Sequence, residues 1–284
     1  MPRAPDVHAD AGIAPRRRSA LTIAGSDSGG GAGIQADLRT FIDLGVHGLS
    51  AIAALTAQHT RGVTAVHVPP VSFLRAQIDA CFEDFDIRAV KLGMLANAEV
   101  IAAVADALEV HRPAHIVLDP VMIATSGARL LEGDAISALR ERLLPLATVV
   151  TPNLPEAETL LGRHIPDRAA MRAAALDLRA AGAHAVFLKG GHLPEGAPAD
   201  DADVPDLYVD AGTVVETTHR RLQLEAHGTG CTLAAATAAH LCQGLPLVQA
   251  CLAASDYVHA ALLRSYAPGN SPIRVPGASV FTRD

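Results

Sequence analysis

The segment HGTGCTLAAATAAH, residues 227–240, places Gly228, Thr229 and Gly230 directly before an alanine-rich stretch of helical character, with Cys231 in its first turn. Backbone N–H groups at a helix start have no partner within the helix and stand at the positive end of its dipole, so glycines there leave a hole shaped for an anion. A thiol at that mouth lies in the same field. This predicts a pKa below the ordinary value of about 8.5 and a functional role, against the alternative of a small buried apolar residue, which is how Cys242 and Cys251 read.

Three other clusters have chemical character. AGSDSGGGAGIQAD, residues 24–37, carries five glycines immediately after Leu21-Thr22-Ile23. A dinucleotide G-x-G-x-x-G pattern fits it only when forced, and no acidic residue ends a strand about twenty positions on. A plain strand-to-helix turn accounts for one or two glycines; five imply backbone brought close to a ligand. In TPNLPEAETL, Asn153 and Glu156 stand three apart at a helix start, a spacing that suits a metal or phosphate and equally an N-cap with a first-turn carboxylate. In LKGGH, Lys189 ends a strand pattern ahead of two glycines, placed either to meet phosphate oxygens or simply to be solvated.

The elements that would carry these clusters are short apolar runs alternating with amphipathic stretches. Residues 20–25, 50–55, 64–68, 89–94, 115–120, 147–152 and 184–190 read as strands, and 31–44, 70–82, 97–110, 133–143 and 167–181 as helices between most of them. That alternation predicts a largely parallel sheet covered on both faces, with ligands beyond the carboxyl ends of its strands. Residues 206–218 read as a hairpin and 230–243 and 247–266 as two closing helices, which offer a dimer face. The acidic stretch 194–205 reads as a mobile surface loop and residues 1–17 as a disordered tail before one domain, 18–284. The three arginines at 16–18 mimic an export signal, but the apolar run behind them is too short and leads into the glycine loop, so it reads as the first strand.

Of 284 residues half are hydrophobic, enough for one large α/β core, and the net charge of −7 with no basic, aromatic-interleaved stretch argues against a nucleic-acid partner. No run approaches the roughly 18 apolar residues of a membrane span. Four cysteines without zinc-type spacing read as reduced thiols in the cytoplasm.

AGSDSGGGAGIQADL, ALTAQHTRGV, KLGML, VLDPVM, TPNLPEAE, LKGGH and HGTGCTL, in this order between about Ala20 and Ser265, closely resemble the hydroxymethylpyrimidine/phosphomethylpyrimidine kinases of thiamine biosynthesis. The resemblance implies a ribokinase-like three-layer α/β fold with a small β flap, ATP and Mg²⁺ as cofactors, and two successive phosphorylations of 4-amino-5-hydroxymethyl-2-methylpyrimidine. It implies that the pyrimidine lies against the first glycine loop at Gly25 with Asp37, Gln58 and Met94. The Gln58 amide would complement the exocyclic amine and a ring nitrogen. Cys231 would assist removal of the hydroxymethyl proton while the N–H groups of Gly228 and Gly230, with Lys189, meet the transferred phosphoryl group. Thr229, Gly228, Lys189 and Asn153 would hold nucleotide phosphates, and Glu156 with Asp119 the metal. Gln58-His59-Thr60 departs from the usual Gln-Asn-Thr of such kinases. A homodimer is expected. The competing expectations are a pyridoxal kinase, a non-catalytic pyrimidine-binding protein, and a cysteine-nucleophile enzyme in which His227 folds back as partner.

Overall fold

The computed structural model describes residues 17–122, 131, 133–193 and 203–279. The tail expected over 1–17 lies outside them except for Arg17, as do residues 194–202 of the expected acidic loop. Nine strands are described: β1 (Arg18–Asp27), β2 (His47–His59), β3 (Gly62–His67), β4 (Asp86–Leu92), β5 (His115–Leu118), β6 (Val149–Val150), β7 (Val186–Lys189), β8 (Asp203–Val209) and β9 (Val214–Arg220). They form one sheet in the order β3-β2-β1-β4-β5-β6-β7-β8-β9. From β2 through β7 the pairings are parallel; β3, β8 and β9 at the two edges are antiparallel.

The apolar runs are continuous because most of these strands are buried on both faces. Leu21 and Ile23, Val90 and Leu92, Ile116 and Leu118, and Val186 and Leu188 point into one core. Their neighbours Ala20, Ala89, Val117 and Phe187 point into the other, as the period of two requires. The first core lies under α2 (Val71–Asp84), α3 (Ala98–His111), α4 (Gly133–Ala138), α5 (Leu154–Leu161) and α6 (Arg168–Ala180). The second lies under α1 (Gly33–Asp43), α7 (Thr229–Gln243) and α8 (Leu247–Leu263). Alanines on the strands and along α7 let that helix sit close to the sheet, and its residues from Thr232 to Ala239 are buried. An open dimer face on α7 is therefore not what its apolar character serves; it is spent inside the chain.

Three expectations are corrected. The strand at 64–68 is not one of the parallel set: β2 runs on to His59, beyond the sheet's carboxyl edge, and folds back as the antiparallel β3 to make a flap. Residues 203–205 are strand rather than loop, paired with Thr218 to Arg220. The helix expected over 133–143 is α-helical only to Ala138 and widens into a π turn over Leu139–Leu143.

Candidate active site

The carboxyl ends of the parallel strands and the start of α7 enclose a cavity of about 440 Å³, within the range of small-ligand sites. Gly228, Thr229, Gly230 and Cys231 line one side. Gly228 is the N-cap of α7 with φ 83°, left-handed backbone that suits glycine, and a Cβ there would overlap the carbonyl oxygen of Gly31. The start of α7 is thus seated directly on the first glycine loop. No side chain caps α7, so its first N–H groups remain directed toward the cavity.

Below the hole, Lys189 at the end of β7 bonds Asp119 at the end of β5, Nζ to Oδ1, at 3.2 Å. A Cβ on Gly230 would stand 3.0 Å from that Nζ and 3.7 Å from both Asp119 oxygens, so all three meet at one point. Burial alone would lower the Lys189 pKa, but Asp119 and Glu156 outweigh it and hold the ammonium above its ordinary range. Asn153 and Glu156 realise the N-cap reading of their spacing while also standing at the cavity. They form a reciprocal capping box, Asn153 Oδ1 accepting from the Glu156 N–H at 2.9 Å and Glu156 Oε2 from the Asn153 N–H at 2.8 Å, and both line the cavity.

Among the described residues no group of three or more His, Cys, Asp or Glu is arranged to hold a metal. Mg²⁺, however, commonly takes only one or two protein carboxylates and completes its shell with water and phosphate oxygens. Asp119 is 1 % exposed and its Oδ2 has no hydrogen-bond partner, while Glu156 is 7 % exposed with its pKa pushed up to about 7 by burial and by Asp119, against the pull of Lys189. Two hard, buried carboxylates of this kind fit a divalent cation.

The raised Glu156 value yields a stability prediction. Its ordinary value is 4.5, so the contribution to stability is complete below that pH and is lost as pH rises through about 7. Glu156→Gln, which keeps an acceptor for the Asn153 N–H, is expected to change little at pH 5 and to stabilise the metal-free protein by about 1 to 3 kcal/mol at pH 8. Urea unfolding at the two pH values measures this; equal effects at both would show that the carboxylate is not held neutral.

The opposite wall is the first glycine loop and the flap. Gly33, φ 57°, leaves no room for a Cβ against the carbonyl oxygen of Gly25. Met94 packs over Gly25, its Sδ 3.1 Å from where a Cβ would be. Ser28 Oγ accepts from the Gln58 N–H and donates to the Gln58 carbonyl, both at 2.8 Å, tying the loop to β2 and fixing where the Gln58 side chain enters the cavity. Asp27 organises the loop. Its Oδ1 accepts from the N–H of Gly29 at 2.8 Å, and its Oδ2 from those of Gly31 and Ala32 at 3.0 and 2.9 Å. Burial works against its charge, yet the His227 contact and the N–H groups of Ala32 and Gly29 hold its pKa below the ordinary carboxylate value.

Three expectations fail here. Asp37 does not face the cavity: it is 0 % exposed beneath the wall, bonded to Thr22 Oγ1 at 2.6 Å and Lys91 Nζ at 2.8 Å. A carboxylate on the inner face of α1 finds the buried Lys91 of β4 before it finds a ligand. The Cys231 thiol is not acidified. Burial, with Asp119 and Asp37 adding to it, pushes its pKa up to about 12 against Lys91 and the Gly33 N–H. His227 does not turn toward Cys231 as a nucleophile's partner would; its Nε2 lies 3.2 Å from Asp27 Oδ2 and 3.1 Å from the Gln58 amide.

The phosphomethylpyrimidine kinase family model matches residues 27–275. The chain belongs to that family. Within it, a relative from Rhizobium meliloti named hydroxymethylpyrimidine/phosphomethylpyrimidine kinase is 53 % identical over 245 residues, 86 % of this chain and 90 % of the relative. A relative from Geobacter sulfurreducens named as a bifunctional protein of thiamine biosynthesis is 48 % identical over 94 % of this chain and 54 % of its own length. The pyridoxal kinase of Staphylococcus aureus, solved in complex with ADP, superposes with a TM-score of 0.84 at 33 % identity, covering 94 % of this chain and 95 % of that one. The three-layer sheet is the ribokinase-like fold that these relatives share.

For a phosphomethylpyrimidine kinase family member, the cavity gathers every residue expected at the site except Asp37: Gly25, Gln58 and Met94 on one wall, Asn153, Glu156, Asp119 and Lys189 below, and the Gly228–Cys231 turn opposite. Asp27, His192 and His227 also line it. Asp27 and His227 sit inside AGSD and HGTGC, so their place in two glycine motifs was the available signal. His192 was legible only as the end of LKGGH.

Proposed function

We propose that the protein transfers the γ-phosphoryl group of ATP to the hydroxymethyl oxygen of 4-amino-5-hydroxymethyl-2-methylpyrimidine, and then phosphorylates the monophosphate, as a step of thiamine biosynthesis. The observation that carries this is the joining of two walls in one cavity: an amide and a thioether suited to a flat aminopyrimidine, facing an uncapped helix start with a half-buried lysine at its floor. Gly25 and Met94 flank the ring and Gln58 pairs with its amine and ring nitrogen. The N–H groups of Gly228 to Cys231 and the Lys189 ammonium stabilise the charge on the phosphoryl group in flight, with Thr229 and Asn153 on the nucleotide phosphates. Asp119 and Glu156 would hold Mg²⁺, which when bound neutralises phosphate charge.

Cys231 lies where the reacting alcohol would sit, but its protonated thiol is not a standing base. A loose phosphoryl transfer needs little base, and the alcohol proton leaves late, onto a phosphoryl oxygen. Cys231→Ser is accordingly expected to slow both phosphorylations by less than about tenfold, whereas loss of a working general base costs about 10² to 10⁴. Single-turnover rates on the alcohol and on the monophosphate distinguish the two cases.

The second phosphorylation uses the same site, because the described residues hold one Gly-Thr-Gly-Cys turn and one lysine of this kind. A homodimer in the cytoplasm completes the proposal; no described helix is long and apolar enough to cross a membrane. The test is incubation with ATP, Mg²⁺ and, separately, the aminopyrimidine alcohol, its monophosphate and pyridoxal, with phosphates counted by mass spectrometry. Two phosphates on the aminopyrimidine support the reading; phosphorylation of pyridoxal alone overturns it.

A further inference from the structure

Three side chains from distant parts of the chain meet at one nitrogen. Nε2 of His227 stands 3.2 Å from Asp27 Oδ2 and 3.1 Å from the Gln58 amide nitrogen, and Gln58 Oε1 is 3.1 Å from Thr56 Oγ1. A ring nitrogen facing an ionised carboxylate must carry a proton, whether the imidazole is neutral or charged. An N–H there, however, opposes the amide N–H₂ of Gln58, donor against donor. Thr56 shows the same conflict from the other end. Its single hydroxyl proton goes to the carbonyl oxygen of Ser26 at 2.9 Å, so toward Gln58 it has only a lone pair and requires a donor.

A half-turn of the Gln58 amide about its last torsion removes both conflicts at once, and amide oxygen and nitrogen are equivalent in shape. The His227 Nε2–H then donates to both Asp27 Oδ2 and Gln58 Oε1, Gln58 Nε2 donates to Thr56 Oγ1, and Thr56 donates to Ser26. The Gln58 oxygen then faces a donor and its nitrogen an acceptor.

We propose that His227, anchored on Asp27, is a specificity-determining positioning residue that locks the Gln58 amide with its oxygen on the His227 side and its nitrogen on the Thr56 side. The consequence rests on the pyrimidine reading of the cavity. A 4-aminopyrimidine pairs its exocyclic amine with the amide oxygen and the adjacent ring nitrogen with the amide N–H. The hydroxymethyl carbon neighbours the amine on the side away from that ring nitrogen, so the lock turns the alcohol toward His227 and the Gly228–Cys231 hole that follows it in the chain. A 4-oxo pyrimidine has the reverse order, an acceptor beside an N–H donor, and would need the amide turned the other way. One histidine therefore selects amine over carbonyl and aims the alcohol at the phosphoryl group.

Two measurements test this, and they fail separately from the kinase reading. Nitrogen NMR of ¹⁵N-histidine-labelled protein without substrate should show His227 protonated at Nε2; an unprotonated Nε2 overturns the lock whatever the substrate is. The second compares kcat/KM for the 4-amino alcohol and its 4-oxo analogue within each variant, a ratio independent of the folded fraction. His227→Leu is expected to lower the amino-over-oxo preference at least tenfold, chiefly through kcat on the amino alcohol. His227→Gln, whose amide nitrogen lies near the Nε2 position and is held donor-outward by Asp27, should restore most of it. A preference unchanged in His227→Leu, with both substrates slowed alike, reduces His227 to a structural contact and overturns the proposal. A wild-type protein that phosphorylates neither pyrimidine overturns the kinase reading instead, and the lock is then judged by the NMR result.

Discussion

Lys189→Met is expected to lower the rates of both phosphorylations by about 10² to 10³, the cost of removing one preorganised donor from a charge-stabilising site. On the proposed single site both steps would move γ-phosphate charge past the same point, where Nζ stands 3.2 Å from Asp119 Oδ1 and beside Gly230. The variant also loses stability in a pH-dependent way. Removing the cation leaves Asp119 and Glu156 as two buried carboxylates without the counter-charge they share, a change that costs about 3 to 5 kcal/mol when the charges persist. Protonation relieves them, and Glu156 already titrates near 7, so the loss should be larger at pH 8 than at pH 6. Single-turnover assays started from the alcohol and from the monophosphate, with urea unfolding at both pH values, give the measurement. Slowing of only one step would mean that the two phosphorylations do not share the lysine.

Gly228→Ala is the second large effect, expected to cost about 10²-fold or more in turnover, the scale of a misplacement of about 1 Å at a reacting centre. The backbone at 228 has φ 83° and a methyl there overlaps the Gly31 carbonyl oxygen, so the start of α7 must move away from the glycine loop. The strained backbone itself costs about 1 to 3 kcal/mol. Because Gly228 joins the α7 start to the first glycine loop, the two walls proposed for phosphate and ring, ATP and pyrimidine affinities should both fall in calorimetry. Gly212→Ala is the control: it lies in the β8–β9 turn with nothing within 4 Å of its Cβ position, and its turnover should match the parent protein. Normal turnover in Gly228→Ala would remove the α7 start from the chemistry.

Most of the parallel sheet was legible because its strands are buried on both sides, which writes them as unbroken apolar runs separated by amphipathic helices. The glycines of the first loop and of the α7 start were legible for a related reason: backbone that must approach another surface tolerates no side chain, and Gly228 against Gly31 is that approach realised. Asn153 and Glu156 left cap and ligand unresolved at the level of spacing, and the fold shows why, since the same two side chains close the capping box and face the cavity.

What local sequence could not decide was anything set by residues far along the chain. The flap depends on β2 outrunning the sheet and pairing with β3, and a short polar-edged strand carries no sign of its direction. Asp37 looks like a ligand contact until Lys91, 54 positions later, is packed under it. Cys231 sits in a helix-start field that favours a thiolate, yet the desolvation and the carboxylates that reverse this come from β5 and α1. His227 meets Asp27 across 200 residues and Gln58 across 169. The sequence by itself determined which backbone segments converge on the cavity, because glycine and apolar periodicity act locally. The tertiary structure alone decided the charge and hydrogen-bond state of the side chains there, because desolvation and pairing depend on whatever the fold places within a few ångströms.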